Sequence, residues 1–252
     1  MNIPDNNKEE IFKVKNIFDL KDKYNIVFSD FISPFTRKYT EVDYIKKYKP
    51  KFISFFGGYE DAERTIIGVS EFNSIETFEF PISTILLQCE DKINHRSILG
   101  SILGLGINRG KLGDILVDNN KALVFSHNDI AEYIANNLKN IGKSQIDDIK
   151  IINDNYLIDD FLKRNYKIIN IILNSLRLDG VLSHALNISR NEAEELIKSQ
   201  LVAVNWLYIQ KSHYEVKVGD IISVRGYGRL QITDVLGYTK KGRISIEIKR
   251  YM

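Results

Sequence analysis

The 252-residue sequence predicts an α+β protein in three parts. Residues 1–50 form a helical region, 51–150 a compact sandwich of helices over an antiparallel sheet, and 175–252 two short helices followed by a small twisted sheet. Three observations carry this reading. Apolar residues recur at three- and four-residue steps through the first part, short strand-like runs alternate with helical ones through the second, and a capped pair of helical segments opens the third.

Taken in order, "NKEEIFKVKNIFDLKDKYNIVFSDF" and "SPFTRKYTEVDYIKKY" carry the helical period, with Ser33 as a cap before Pro34 and Pro50 as the stop. Phe12, Phe18, Tyr24, Phe28, Phe31, Phe35 and Tyr44 are expected to pack in the core. "KFISFFGG" reads as a strand closed at Gly57 and Gly58, and "RTIIGVS" and "PISTILLQCE" as further strands. "NHRSILGSILGLGI" reads as a helix, and "GDILVDNNKALVFS" as a hairpin turning at Asp118, Asn119 and Asn120. "HNDIAEYIANNLKNI" is an amphipathic helix expected to end at Gly142, and "SQIDDIKII" is a closing strand. Residues 151–174 read as a polar linker. Then comes a helix near Arg177–Ala185, a turn at Asn187, and a restart at Ser189. Glu192 stands three residues after Ser189, which is capping-box spacing. "SQLVAVNW" runs into a strand, and glycine-punctuated short strands follow.

Composition narrows the function class. Apolar residues make up 44% and charged residues 27%, as in an ordinary soluble domain. The sequence offers neither a membrane-spanning run nor a signal-peptide pattern, so a cytoplasmic protein is expected. One cysteine, Cys89, permits neither an internal disulfide nor a thiolate zinc cluster. The net charge of +2 is uneven: residues 174–252 hold 12 Lys and Arg against 8 Asp and Glu, while the rest of the chain is slightly acidic. A basic module on a near-neutral body points to an anionic partner.

Within that module Arg177 opens one helix and Arg190 the next, with Lys198 eight residues further on. Arginine presents a rigid fork to phosphate oxygens, lysine a mobile point charge, and helix N-termini add N–H donors. Arg225 and Arg229 bracket a Gly-Tyr-Gly turn able to approach a sugar-phosphate strand closely. The competing reading of the same spacing is a solvated surface with structural pairs, Arg177 with Asp179 or Arg190 with Glu194.

"RLDGVLSHALNISRNEAEELIKSQLVAVN", continued by "KVGDIISVRGYGR", resembles the S4 RNA-binding domain. That resemblance implies recognition of structured RNA by the helices and adjoining loop, with Arg177, Asp179, Ser189, Arg190, Ala193, Ile197, Val204 and Asn205 on pattern positions and Asp179 structural. Upstream, "FFGGYEDAERTIIGVS" and "NHRSILGSILGLGINRGKLGDILV" resemble the bacterial YlmH-type S4-domain proteins. The resemblance implies an RRM-like middle domain and a ribosome-associated protein without enzymatic activity. It further implies binding to rRNA of the large subunit beside peptidyl-tRNA, in translation rescue or quality control; a monomer is expected. One departure stands out: Ser97-Ile98 follows His95-Arg96 where the family pattern has an acidic-aromatic pair.

In the middle domain Arg96, Arg109 and Lys111 are candidate RNA contacts, with Arg64 and His95 nearby in type. Arg109 and Lys111 flank Gly110 as a basic loop, unless Arg64 pairs with Glu60 and Arg109 with Asp114. The segment lacks the aromatic signatures of an RRM, so base stacking across its sheet does not follow from the shape. No nucleophile elbow, phosphate-binding Gly-Lys motif or dinucleotide fingerprint is present. No cofactor, metal or catalytic residue is expected. Two alternatives stay open: an RNA-modifying enzyme such as a pseudouridine synthase, suggested by "RLDG", and a protein-interaction module linked to cell division.

Overall fold

The computed structural model describes residues 5–72, 74, 78–152, 155–164 and 166–251. It is an α+β protein of two compact units, residues 1–164 and 165–252, so the expected boundary at residue 50 is not where the chain divides. Among the described residues the strands form three sheets, two in the first unit and one in the second.

The first unit opens with α1 (Asp5–Leu20), which buries Ile11, Val14, Ile17 and Phe18 along one stripe. Phe12 and Tyr24, expected inside, are exposed instead; Phe12 falls off that stripe. After β1 (Val27–Phe28), Ser33 caps α2 (Pro34–Tyr39) by accepting from the Thr36 N–H. A π-helical turn over 40–44 and α3 (Ile45–Tyr48) continue it until Lys49 turns left-handed ahead of Pro50. Phe18 packs against Tyr44 and Tyr48, ring centroids 5.7 and 5.2 Å away. The strands β2 (Phe52–Phe56) and β3 (Ile66–Ser70) join β1 in the order β1-β3-β2. They therefore belong with the N-terminal helices, contrary to the expectation that they share the middle sheet.

That middle sheet is built from β4 (Ile82–Cys89), β5 (Leu112–Asp118), β6 (Lys121–His127), β7 (Asn140–Ile141) and β8 (Ser144–Ile152). Between them run α4 (His95–Leu103) and α5 (Asn128–Asn137). The order β5-β6-β4-β8-β7, with every pair antiparallel, is the split β-α-β arrangement of an RRM-like fold. The hairpin turns at Asn119, whose φ is 55°. Helix α5 stops at Asn137, not at Gly142; Gly142 turns β7 into β8 at φ 61°.

Both faces of this sheet are covered. On one, Ile85, Leu87, Leu112 and Val124 pack with Ile98 and Ile102 of α4 and Ala131 and Ile134 of α5. On the other, Leu123 and Phe125 pack with Phe31, Ile66, and Ile158 and Phe161 of α6 (Asn155–Arg164). Two glycines permit this closure. A Cβ at Gly113 would lie 2.6 Å from the Phe31 ring, and one at Gly58, where φ is +102°, 2.4 Å from the Phe125 ring.

The second unit corrects the linker reading. Within 151–174, α6 covers the middle sheet, and β9 (Tyr166–Leu173) pairs along β14 (Ile244–Tyr251), from Tyr166 opposite Tyr251 to Leu173 opposite Ile244. The strand escapes a period-two reading because it carries apolar residues on both faces, Ile169 and Ile171 inward, Ile168 and Ile172 exposed. The helices α7 (Leu178–Leu186) and α8 (Arg190–Lys198) pack on the inner face of a six-stranded sheet ordered β11-β10-β12-β13-β14-β9. Its remaining strands are β10 (Val202–Val204), β11 (Leu207–Tyr208), β12 (Ile221–Val224) and β13 (Gly228–Tyr238). Among the described residues no helix is long and apolar enough to cross a membrane.

The close approach at Gly113 makes a coupled prediction. Gly113→Ala should cost about 1–3 kcal/mol by forcing the Phe31 ring aside, and Phe31→Ala about 3–5 kcal/mol by leaving a cavity. In urea unfolding the double variant should be less destabilised than the sum of the two; strict additivity would mean that Gly113 and Phe31 do not press on one another.

Candidate nucleic-acid interface

The second unit gathers its basic side chains around a buried acid. Asp179 lies in the first turn of α7 with a fully buried side chain. Its Oδ1 accepts from Arg177 Nε at 3.2 Å and from the Gly180 N–H at 2.8 Å. Its Oδ2 accepts from Arg177 at 2.9 Å and from Arg190 Nε and an Arg190 terminal nitrogen at 3.1 and 3.0 Å. Burial by itself pushes this carboxyl up, but the two guanidinium groups and the backbone N–H outweigh it and hold its pKa below the ordinary value. Both arginines stay open to solvent, with side chains 38% and 58% exposed. One carboxylate thus fixes two outward guanidinium groups at the starts of two consecutive helices. Of the structural pairs foreseen from spacing, Arg177–Asp179 forms, whereas Arg190 takes Asp179 and not Glu194.

Ser189 caps α8 by accepting from the Glu192 N–H at 3.1 Å. The return arm of the expected capping box is replaced: Glu192 accepts from the Tyr227 hydroxyl at 2.9 Å. That bond seats the β12–β13 hairpin beside the start of α8, a link sequence spacing gave no sign of, since the residues are 35 apart. Arg225 is exposed on this hairpin, and Arg229 at its far end lies 5.5 Å from the Tyr251 ring centroid. Lys198 sits at the end of α8, exposed, with its ammonium 3.4 Å from Glu194. Asn205 is spent internally. Its amide donates to Asp220 at 2.8 Å and its carbonyl accepts from the Ile221 N–H at 3.0 Å, pinning a turn where φ is 48°. Ser189 likewise serves the helix end. Of the predicted set in this unit, Arg177, Arg190, Lys198 and Arg225 present charge outward, and Arg229 is half-buried with its Nε enclosed.

The first unit places its predicted contacts differently. Arg96 is exposed in the first turn of α4. Arg109 turns inward: it donates to the Leu112 carbonyl at 2.5 Å, and burial together with nearby Arg64 lowers its pKa to about 10. Lys111 is held between Asp129 at 2.9 Å and Asp30 at 3.1 Å; burial disfavours its charge, but these carboxylates raise its pKa above the ordinary value. The residues 109–111 are therefore an internal brace, not the basic loop expected. Arg64 reaches Glu10 and the Phe31 carbonyl in place of Glu60, and Asp114 accepts from the backbone N–H groups of Glu63 and Arg64 and from Tyr59. Glu10, Arg64 and Arg109 line a cleft of about 510 Å³ between α1 and the 108–110 turn together with Glu9, Lys13 and Asp30; Glu10 pairs with Arg64, Glu9 with Lys13 and Asp30 with Lys111, while Arg109 donates to backbone carbonyls. Ser97 completes a reciprocal capping box with Asn94, and Ile98 is buried, so the departure from the acidic-aromatic pattern has a structural use here. Because the sheet face that an RRM offers to bases is occupied by Phe31, Ile66, Ile158 and Phe161, no stacking platform is open there. Cys89 is buried, and burial raises its thiol pKa, which leaves it unreactive.

Comparison with known proteins gives matches in both units. Residues 76–154 match the family described as "Putative RNA-binding domain in YlmH", and residues 176–222 match the S4 domain. The "Ribosome-associated protein quality control protein P2" of Bacillus subtilis (strain 168) is 30% identical over 240 residues, covering 92% of this chain and 90% of that protein. An "Uncharacterized RNA pseudouridine synthase" of Aquifex aeolicus (strain VF5) is 43% identical over only 51 residues, 20% of this chain and 21% of that protein. The solved structure named "Cell division protein ylmH from Streptococcus pneumoniae" shares the fold. It has a TM-score of 0.51 at 22% identity, over 60% of this chain and 94% of that one.

The Asp179 anchor gives a signed pH dependence. Its folded pKa lies below the unfolded value of about 3.9, so its contribution is complete above that value and disappears as pH falls through the folded pKa. Asp179→Asn should destabilise the second unit by about 1–3 kcal/mol at neutral pH and by progressively less under acid. Urea midpoints recorded from pH 7 to pH 3 check this; parallel curves for the two proteins would mean that Asp179 is not the titrating anchor.

Proposed function

This chain belongs to the YlmH family of S4-domain proteins, and from that premise we propose that it acts by binding structured RNA on the ribosome rather than by catalysis. The single observation that carries the reading is the pair of outward guanidinium groups fixed by Asp179 at the starts of α7 and α8. Arg225 and Arg229 on the adjoining hairpin, and Lys198 at the end of α8, extend the basic surface. Such an array meets phosphates along a folded backbone, which positions a protein without reading sequence. The large-subunit rRNA is the favoured target, with peptidyl-tRNA as a neighbouring contact. The name of the Bacillus relative supports a role in quality control on the ribosome; the reading extends this to translation rescue, in the cytoplasm and as a monomer.

The pseudouridine synthase alternative loses its main support, because Asp179 in "RLDG" is buried and occupied by two arginines and so is out of reach of a substrate. The match to the Aquifex enzyme is confined to 51 residues and leaves the first unit without a counterpart. The cell-division alternative has the name of one solved structure behind it.

Lys198→Glu with Arg225→Glu is the informative variant, since neither side chain braces the fold through Asp179; Arg190→Glu would set a second carboxylate against that buried acid. Binding to purified ribosomes across a salt series should be steep for the wild-type chain. The double variant should reduce the log–log slope by about 0.9 for each phosphate it no longer neutralises. An unchanged affinity and slope would remove these residues from the interface.

A further inference from the structure

Register defines a second face of the C-terminal unit. Arg229 stands opposite Tyr251 across β13 and β14, and Tyr251 opposite Tyr166 across β14 and β9. Two residues on, Gln231, Lys249 and Ile168 form the next row. Between these rows lie Leu230, which packs in the core beneath α7 and α8, and Arg250 opposite it, whose guanidinium donates to the Ala185 carbonyl of α7. Side chains alternate across a strand, so these two rows share the face turned away from the helices.

The chemistry of that face is uniform. The Tyr166 and Tyr251 rings lie 6.4 Å apart at 59°. The Lys249 ammonium sits 4.0 Å from the centroid of Tyr166 and 5.5 Å from that of Tyr251, and the Arg229 guanidinium 5.5 Å from Tyr251. The Tyr251 hydroxyl donates to Gln231 at 2.9 Å, which fixes the ring. Beside them Ile168 and Ile172 are 48% and 49% exposed on the edge strand. In the neighbouring row Glu247 is taken up by Thr233 at 2.8 Å, and Asp234 opposite it accepts from the Val235 N–H at 2.7 Å. Paired aromatic rings with cations against them combine a stacking surface with phosphate partners, the combination that single-stranded nucleic acid requires.

The face is continuous with the basic surface on the helices. Arg229 ends the hairpin that begins at Arg225, and Tyr227 on the same hairpin bonds Glu192 of α8. A strand leaving a folded element held at Arg177 and Arg190 would pass over this hairpin onto the tyrosines. We propose that the Tyr166–Tyr251 face is a stacking site for an unpaired nucleotide of RNA, with Lys249 and Arg229 meeting the flanking phosphates. The site rests on the RNA-binding reading above and deepens it, making the S4 unit a reader of junctions between paired and unpaired RNA.

The test uses the full chain and two RNA hairpins of identical stem, one blunt and one with a short unpaired tail. The wild-type chain should prefer the tailed hairpin. Tyr166→Ala with Tyr251→Ala should weaken binding of the tailed RNA about ten-fold, as expected for removing stacked bases, and leave the blunt one unaffected. Tyr166→Phe with Tyr251→Phe should keep the preference, since the rings remain. Equal weakening on both hairpins, or weakening in the phenylalanine variant as large as in the alanine one, overturns the site in favour of a packing role. Unchanged RNA binding with altered self-association also overturns it, in favour of an edge-strand contact between copies. If the wild-type chain binds neither hairpin, the RNA-binding reading falls and this site with it; if it binds both through Lys198 and Arg225 but shows no tail preference, the stacking site alone is overturned.

Discussion

A carboxylate sealed from solvent stays ionised only if neighbouring charges and N–H groups replace the water it has given up. Asp179 meets that demand with Arg177, Arg190 and the Gly180 N–H. The consequence runs outward as well as inward. Arg177 precedes α7 and Arg190 opens α8, so the shared acid ties the entry points of both helices together. The guanidinium groups, free to swing in an unanchored loop, are held in one arrangement on the surface. Order at a phosphate-binding surface matters because long cationic side chains otherwise lose rotamer freedom on binding. The buried acid is therefore the constraint on which both the packing of the second unit and its candidate interface depend.

The first unit has resolved a different problem. An RRM-like sheet ordinarily leaves one face open, and here Phe31, Ile66, Ile158 and Phe161 close it. Leu123 and Phe125, which an open sheet would present to a ligand, are buried as core residues. The nearby basic loop follows the same logic, with Lys111 braced by Asp30 and Asp129 and Arg109 donating to a backbone carbonyl. RRM-like shape here serves as a packing solution, and the net positive charge of the chain lies in residues 174–252.

Much of the fold was legible from period and punctuation. The middle-domain strands and helices, the Asn119 turn, the Ser33 and Ser189 caps and the Asn187 break all follow from local residue chemistry. What escaped was non-local. "YKIINIIL" hides its alternation because β9 carries isoleucines on both faces, so it read as linker although β14 claims its whole length. The assignment of β2 and β3 to the N-terminal sheet depends on pairing with β1, a strand of two residues too short to signal itself. At the site, the arginine positions were visible through spacing and family resemblance. Asp179 was legible as the partner of Arg177 but not as that of Arg190, because Glu194 lies at a better helical interval from Arg190 than Asp179 does. Asn205 also carried a familiar pattern position, yet its amide turns out to hold Asp220 and Ile221.

The most direct measurement of the central claim is to crosslink the chain to RNA in isolated ribosomes by ultraviolet light and map the attached nucleotides by peptide mass spectrometry. If the Asp179-ordered surface is the interface, adducts should fall on peptides spanning residues 177–198 and 225–229. Adducts confined to the first unit, with those peptides recovered unmodified, would contradict the account and move the RNA interface elsewhere in the chain.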